Sequence, residues 1–167
     1  MRRLAAVLLM FALGGCGADD LPVPEAIGTS PPSAHASRKG AALTCGQTRV
    51  ELPAMPEGLT RVGSFGRLGS LTRPLEVKGL IWRREDEQMY VGVVCGARTA
   101  DEFVTLVAKS SLTAYKGRPA LRWTTRTGVR NFMWLERPGT AVYIAATPGL
   151  AAQIRHIAAG VGLDRSR

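Results

Sequence analysis

Apolar and polar residues alternate most clearly in residues 88–95, which predicts an extended strand with one apolar face. The alternating apolar residues are Met89, Val91, Val93 and Cys95. A second extended stretch, 75–83, precedes this strand, and the charged residues 84–87 lie between the two. The pattern therefore predicts a β-hairpin with a solvated tip. Shorter strands are predicted at 41–52 and 59–64.

Helical spacing follows the hairpin. Thr99 and Glu102 match a capping box, in which the two side chains satisfy backbone N–H groups at a helix start. Apolar residues then recur at helical spacing, and Gly117 is a stop signal, so we expect a helix at about 99–114. A second helix is expected at about 148–161, with an apolar stripe of Leu150, Ile154, Ile157 and Val161.

Three extended stretches between these helices predict an antiparallel meander. They are 119–127, 130–137 and 140–147. Two-residue turns would pair Trp123 with Phe132, Leu121 with Trp134, and Trp134 with Tyr143. One face of the meander would then be aromatic.

These elements predict an α+β fold, with a mainly antiparallel sheet of about six to seven strands and two helices. A strand, strand, helix order occurs twice, once around Tyr90 and once around Tyr143. Two such units could form one continuous sheet with both helices on a single face.

Both faces of the meander carry apolar residues, so something must cover each face. Other parts of the domain could do so, or part of the sheet could line a groove for an apolar or amphipathic ligand, or a protein could bind there. The candidate ligand-binding residues are Trp123, Phe132, Trp134, Tyr143, Arg122, Arg126 and Arg130. The arginines would meet an anionic headgroup.

The N-terminus has the pattern of a signal peptide. Arg2 and Arg3 precede an apolar run, 4–13, which as a helix would rise only about 15 Å against about 30 Å of hydrocarbon. Leu13-Gly14-Gly15-Cys16 resembles the lipobox of bacterial lipoprotein precursors. The resemblance implies cleavage before Cys16 and a diacylglycerol on its sulfur, which would anchor the chain stably to a membrane.

The chain then divides into a signal peptide, 1–15, a lipidated cysteine with a linker rich in Pro, Ser and Ala, 16–40, and one globular domain, 41–165. The implied location is the cell membrane or the outer membrane, facing outside the cytoplasm. Removal of the signal peptide takes away two arginines and lowers the formal net charge from +9 to +7. Anionic lipids, acidic wall polymers or an envelope protein are therefore possible partners, and nucleic acid is not expected.

Cysteine usage agrees with an exported domain. With Cys16 assigned to lipid, Cys45 and Cys95 remain, and neither lies in a CxxC motif. Since the compartment permits oxidation, we expect one structural disulfide between them. The domain has a single histidine, His156, so the residues needed for a zinc site are lacking, and we expect no metal or cofactor.

No GxSxG, HExxH, P-loop, Rossmann or SxxK pattern occurs after the signal peptide, so we expect no enzyme activity. The leading hypothesis is a tethered, non-catalytic accessory or interaction protein of the envelope. The alternative is a carrier or sensor that holds a lipid or small ligand in an apolar groove between the sheet and the helices.

Overall fold

The structure is a computed structural model, and it describes residues 40–163. Its strands are β1 Ala42–Cys45, β2 Thr48–Glu51, β3 Thr60–Phe65, β4 Glu76–Arg84, β5 Glu87–Cys95, β6 Ser111–Tyr115, β7 Arg118–Thr124, β8 Arg130–Arg137, β9 Thr140–Ala146 and β10 Gly162–Leu163. The helices are α1 Ala100–Val104 and α2 Gln153–Gly160, and a 3₁₀ turn covers Pro148–Leu150. Neither helix of this region is long and apolar enough to span a bilayer.

All the strands pair antiparallel, in two sheets. Seven form one continuous sheet in the order β3-β4-β5-β9-β8-β7-β6, and three form a smaller sheet in the order β1-β2-β10. The α+β class and the mainly antiparallel sheet are therefore confirmed. The predicted hairpin is present as β4 and β5, and it pairs along its whole length.

Each face of the seven-stranded sheet is buried under a different cover. The first face, which holds Phe132 and Trp134, packs against the three-stranded sheet and α2. The second face, which holds Met133 and Tyr143, packs against Phe103 of α1 and apolar residues of segment 65–75. The two helices therefore lie on opposite faces of the sheet, and the expectation that they share one face is wrong.

The expected disulfide links the two sheets. Cys45 at the end of β1 and Cys95 at the end of β5 are bonded, with their Cα atoms 5.4 Å apart and a separation of 50 positions in the chain. Closing a loop of this length removes about 4 kcal/mol of unfolded-state entropy. The disulfide therefore stabilises the attachment of the smaller sheet to the first face.

The first helix begins where the sequence predicts and ends ten residues earlier. Thr99 caps α1, because its hydroxyl accepts a hydrogen bond from the Glu102 backbone N–H at 3.1 Å. The helix stops at Val104, and the last four residues of the predicted helix 99–114 belong to strand β6. Lys116 and Gly117 both have positive φ, which is the geometry of a tight hairpin turn. Gly117 thus joins β6 to β7 instead of ending a helix.

Two other elements are divided in the structure. Residues 41–52 form the hairpin β1-β2, because Gly46 adopts a positive φ at its turn. The predicted helix 148–161 consists of the 3₁₀ turn followed by α2, and it places the expected apolar residues Leu150, Ile154 and Ile157 in the core.

The register between β7 and β8 differs by one residue from the predicted register. Residues 125–129 form a loop closed by the backbone of its two end residues, where the sequence predicts a two-residue turn. Trp123 therefore lies opposite Asn131 instead of Phe132. Likewise, Leu121 lies opposite Met133, and Trp134 lies opposite Ala120.

A β-bulge causes the second register difference. The predicted two-residue turn Pro138-Gly139 is present, but the extra residue Glu136 shifts the pairing of β8 with β9. Trp134 therefore lies opposite Val142 instead of Tyr143.

A shift of one residue moves a side chain to the other face of a sheet. Phe132 and Trp134 consequently pack in the core of the first face, while Trp123 and Tyr143 pack on the second face. The prediction of one face carrying all four aromatic residues is wrong. Both faces are apolar, as expected, and the three aromatic residues other than Trp123 are buried.

Candidate functional site

A groove of about 560 Å³ opens between strands β6 to β8 and helix α2. We call it the basic groove because its lining within residues 40–163 contains four cationic residues and no carboxylate, histidine or cysteine. The cations are Lys109, Arg122, Arg130 and Arg155. They come from the segment before β6, from β7, from β8 and from α2.

Sheet register brings two of these cations together. Arg122 lies opposite Phe132, and Thr124 lies opposite Arg130, on the same pair of strands. Arg122 and Arg130 are therefore diagonal neighbours on one face, a spacing of about 7–8 Å between Cα atoms. Ser111 of β6 lies opposite Arg122 on the other side and adds a hydroxyl.

The positive charge of the groove is not neutralised within residues 40–163. None of its four cations forms an ion pair with a carboxylate of this region, although other arginines and lysines of the domain do. The guanidinium of Arg122 lies 5.0 Å from the ring centre of Phe132, which is a cation–π distance. This contact positions Arg122 without compensating its charge.

Neutral residues complete the lining of the basic groove. Phe132, Ala151 and Ile154 form an apolar patch, and Thr124 offers a hydroxyl group. Cationic and hydroxyl donors beside an apolar patch suit a ligand that is anionic and partly apolar.

A second cleft, of about 390 Å³, lies on the other face of the sheet and is lined by aromatic rings. Trp123 stacks on Tyr143 with ring centres 6.0 Å apart, and Phe65 contacts Tyr143 edge-on at 6.0 Å. Trp123 borders both this cleft and the basic groove. Its buried indole N–H has no acceptor among the residues that the structure describes.

Asn131 borders both the basic groove and the aromatic cleft, and its side chain is held by hydrogen bonds. Its side-chain N–H groups donate to the carbonyls of Val129 at 2.9 Å and Trp123 at 3.3 Å, and its side-chain oxygen accepts from the Tyr143 hydroxyl at 2.7 Å. Burial raises the pKa of Tyr143, and the neighbouring Tyr90 raises it further. Tyr143 therefore remains a neutral hydrogen-bond donor that holds the Asn131 amide in place.

The structure divides the seven predicted ligand-binding residues. Four of them border the basic groove: Arg122, Trp123, Arg130 and Phe132. Arg126 is exposed in the loop 125–129, Trp134 is in the core of the first face, and Tyr143 is on the second face. None of these three lines the groove.

Sequence reasoning missed two groove cations. Lys109 falls within the predicted first helix, and Arg155 lies outside the apolar stripe of the predicted second helix. No local signal joins them, because their elements are far apart in sequence and meet only through the pairing of β6 at the sheet edge.

The predicted lipidation site Cys16, the signal peptide and nearly all of the linker lie outside the described residues. Within residues 40–163, no three His, Cys, Asp or Glu side chains are grouped to hold a metal ion. The described site thus consists of a basic groove whose donors suit an anion. Neither a protein-family model, nor a curated protein, nor a solved structure matches this chain.

Proposed function

We propose that this chain is a lipid-anchored, non-catalytic binding protein of the bacterial cell envelope that engages an anionic envelope component through the basic groove. The observation that carries the proposal is that four cations and no carboxylate of the described residues surround one cavity. The anchor is the diacylated Cys16, at the cell membrane or the outer membrane and facing outside the cytoplasm. Anionic lipid headgroups and acidic wall polymers are the envelope components with matching charge.

The groove proposal is tested with a mature chain carrying Cys16→Ser, so that no acyl group contributes to binding. We expect it to co-sediment with phosphatidylglycerol vesicles more strongly than with phosphatidylcholine vesicles. Replacing Arg122 and Arg130 by Gln should weaken this binding about thirtyfold, at about 1 kcal/mol for each charge. Competition by soluble poly(glycerol phosphate) identifies a wall polymer as the better ligand.

The matched control removes the same charge elsewhere. Arg83 and Arg137 are exposed and lie outside the groove lining. Replacing both by Gln gives a control with the same net charge as the Arg122 and Arg130 variant. We expect this control to bind nearly as well as the unaltered chain. An equal loss in both variants would mean that only total charge matters, and it would refute the groove as the binding site.

The anchor has its own test. Cells expressing the full chain are labelled with a fatty-acid probe, and we expect incorporation that the Cys16→Ser variant abolishes. Absence of label on the unaltered chain would reject the anchored part of the proposal and leave the groove proposal intact.

A carrier of an amphipathic anion is the second candidate. The apolar patch of Phe132, Ala151 and Ile154 beside the cations favours it. Native mass spectrometry of the protein purified from its host should then detect bound lipid. A ligand-free protein that still binds anionic vesicles would favour surface recognition over carriage.

A further inference from the structure

Strand β6 forms one edge of the seven-stranded sheet, and β7 is its sole partner strand among the described residues. Its five residues pair with β7 in continuous register. The strand, Ser-Leu-Thr-Ala-Tyr, contains no charged residue and no proline. Charges, prolines and bulges are among the devices that keep edge strands from pairing with other chains. The outer edge of β6 therefore has a row of backbone hydrogen-bonding groups that pair with no other strand of residues 40–163 and lack that protection.

The opposite edge is protected. Strand β3 carries the exposed Arg61, and a register shift between Arg61 and Gly63 interrupts its pairing with β4. A bulge and a charge both oppose the addition of a further strand. The β3 edge therefore opposes the addition of a further strand, whereas the β6 edge lacks these obstacles.

Packing of Tyr115 holds the end of β6 on the sheet. The Tyr115 ring contacts Trp134 at 5.0 Å and Phe132 at 5.2 Å between ring centres, both edge-on. Leu112 remains 62 % exposed, more than any other large hydrophobic residue of the described region. The strand thus presents an apolar side chain next to an unpaired backbone edge.

We propose that the outer edge of β6 accepts an extended segment of a partner protein as an eighth strand, and that this segment has acidic residues near its ends. The positive charges near the two ends of β6 are the reason for expecting acidic residues near the ends of the partner segment. Lys109 precedes the strand and Lys116 follows it. The Lys116 ammonium donates to the Ala159 carbonyl at 3.4 Å, and its other N–H groups can bind an acid.

A second copy of this chain fits the same edge less well. Antiparallel pairing of β6 with another β6 centred on Thr113 would bring Lys109 of one copy close to Lys116 of the other at both ends. Like charges opposite one another oppose pairing, whereas acidic residues there favour it. A partner with an apolar residue against Leu112 and acidic flanks therefore matches the edge.

The test uses a synthetic peptide, Asp-Val-Thr-Val-Thr-Val-Asp, and a matched peptide with Lys at both ends. Added to the isotope-labelled mature chain with Cys16→Ser, the acidic peptide should slow hydrogen exchange at alternate amides of β6. We expect it to bind about tenfold more tightly than the basic peptide. No protection of β6 by the acidic peptide at millimolar concentration would overturn the proposal.

Matched variants separate the edge from other surfaces. Leu112→Glu should abolish the protection, while Val62→Glu, at the other exposed large hydrophobic residue and on the other edge, should leave it unchanged. The Arg122→Gln and Arg130→Gln variant should also keep the protection. Dimerisation of the chain through β6 in the absence of peptide would assign the edge to a second copy and overturn the proposal.

Discussion

The two faces of the seven-stranded sheet each hold one tryptophan of strands β7 and β8, and the two indoles differ in their hydrogen bonding. On the first face, the Trp134 indole N–H donates to the Glu136 carboxylate at 2.6 Å. Glu136 also accepts from Arg118 at 2.8 Å, so the carboxylate is paired. On the second face, the Trp123 indole N–H is buried without an acceptor in the described region. The indole N–H of the first face is therefore hydrogen-bonded, whereas that of the second face has no acceptor within residues 40–163.

The covers of the two faces also differ. The first face is covered by a separate sheet and by α2, and the Cys45–Cys95 disulfide fastens that sheet. The second face is covered by α1, which starts five residues after the end of β5, and by segment 65–75 between two adjacent strands. A distant cover needs a strong link because ordering it costs more chain entropy. A nearby cover can be held by packing and local hydrogen bonds.

The largest expected effect comes from removing the link on the first face. Replacing Cys45 and Cys95 by Ser should lower the free energy of unfolding by about 4 kcal/mol. Urea denaturation of the mature chain with Cys16→Ser measures this change. An unchanged midpoint would show that the cover of the first face is stable without its covalent link.

The next effect compares the two indoles directly. Trp134→Phe should cost about 2 kcal/mol, because it removes buried volume and a hydrogen bond to a charged acceptor. Trp123→Phe should cost less than about 1 kcal/mol, because it also removes a buried donor that lacks an acceptor. Denaturation of both variants under the same conditions is the measurement. An equal loss of unfolding free energy in the two variants would contradict the difference in hydrogen bonding between the two indoles.

A smaller effect is expected at the hydrogen-bonded pair of the second face. Tyr143→Phe should cost about 1 kcal/mol, since it leaves the side-chain oxygen of the buried Asn131 without its donor. The control is Tyr115→Phe, because the Tyr115 hydroxyl makes no hydrogen bond within residues 40–163, and its stability should be nearly unchanged.

Alkaline pH tests the same pair. Because the pKa of Tyr143 is raised in the folded protein, its contribution to stability is complete below the unfolded pKa of about 10 and declines as the pH rises above it. Ultraviolet titration should show that Tyr143 ionises at a higher pH than a free tyrosine. Tyr143→Phe should remove this part of the pH dependence, and persistence of the full dependence would contradict the assignment.

The smallest effect concerns the start of α1. The Arg98 backbone N–H donates to the Glu102 carboxylate at 2.8 Å and lowers its pKa, and the Arg73 guanidinium, 3.6 Å away, lowers it further. The contribution of Glu102 is therefore present above its ordinary pKa and is lost as the pH falls through the lowered value. Glu102→Gln should reduce stability slightly at neutral pH and not at acidic pH. In the unaltered protein, the titration of the Glu102 carboxyl group, followed by NMR, should have a midpoint below that of a free glutamate.

The local pattern of the chain determined several features. Alternation in residues 88–95 indicated strand β5, because side chains of a strand alternate between its faces. The Thr99 cap was readable because capping depends on residues only three positions apart. The pairing of Cys45 with Cys95 followed from their number and from the exported setting that the Cys16 motif implies.

Only the tertiary structure decided which face each aromatic side chain occupies. Strand composition allowed either register, and the bulge at Glu136 and the loop 125–129 selected the observed one. The tertiary structure also determined which residues line the basic groove. Lys109 and Arg155 are about 45 positions apart and meet Arg122 only because β6 pairs at the sheet edge and α2 packs on the first face. Local periodicity specifies the direction of a side chain within one element, whereas packing between elements specifies its neighbours.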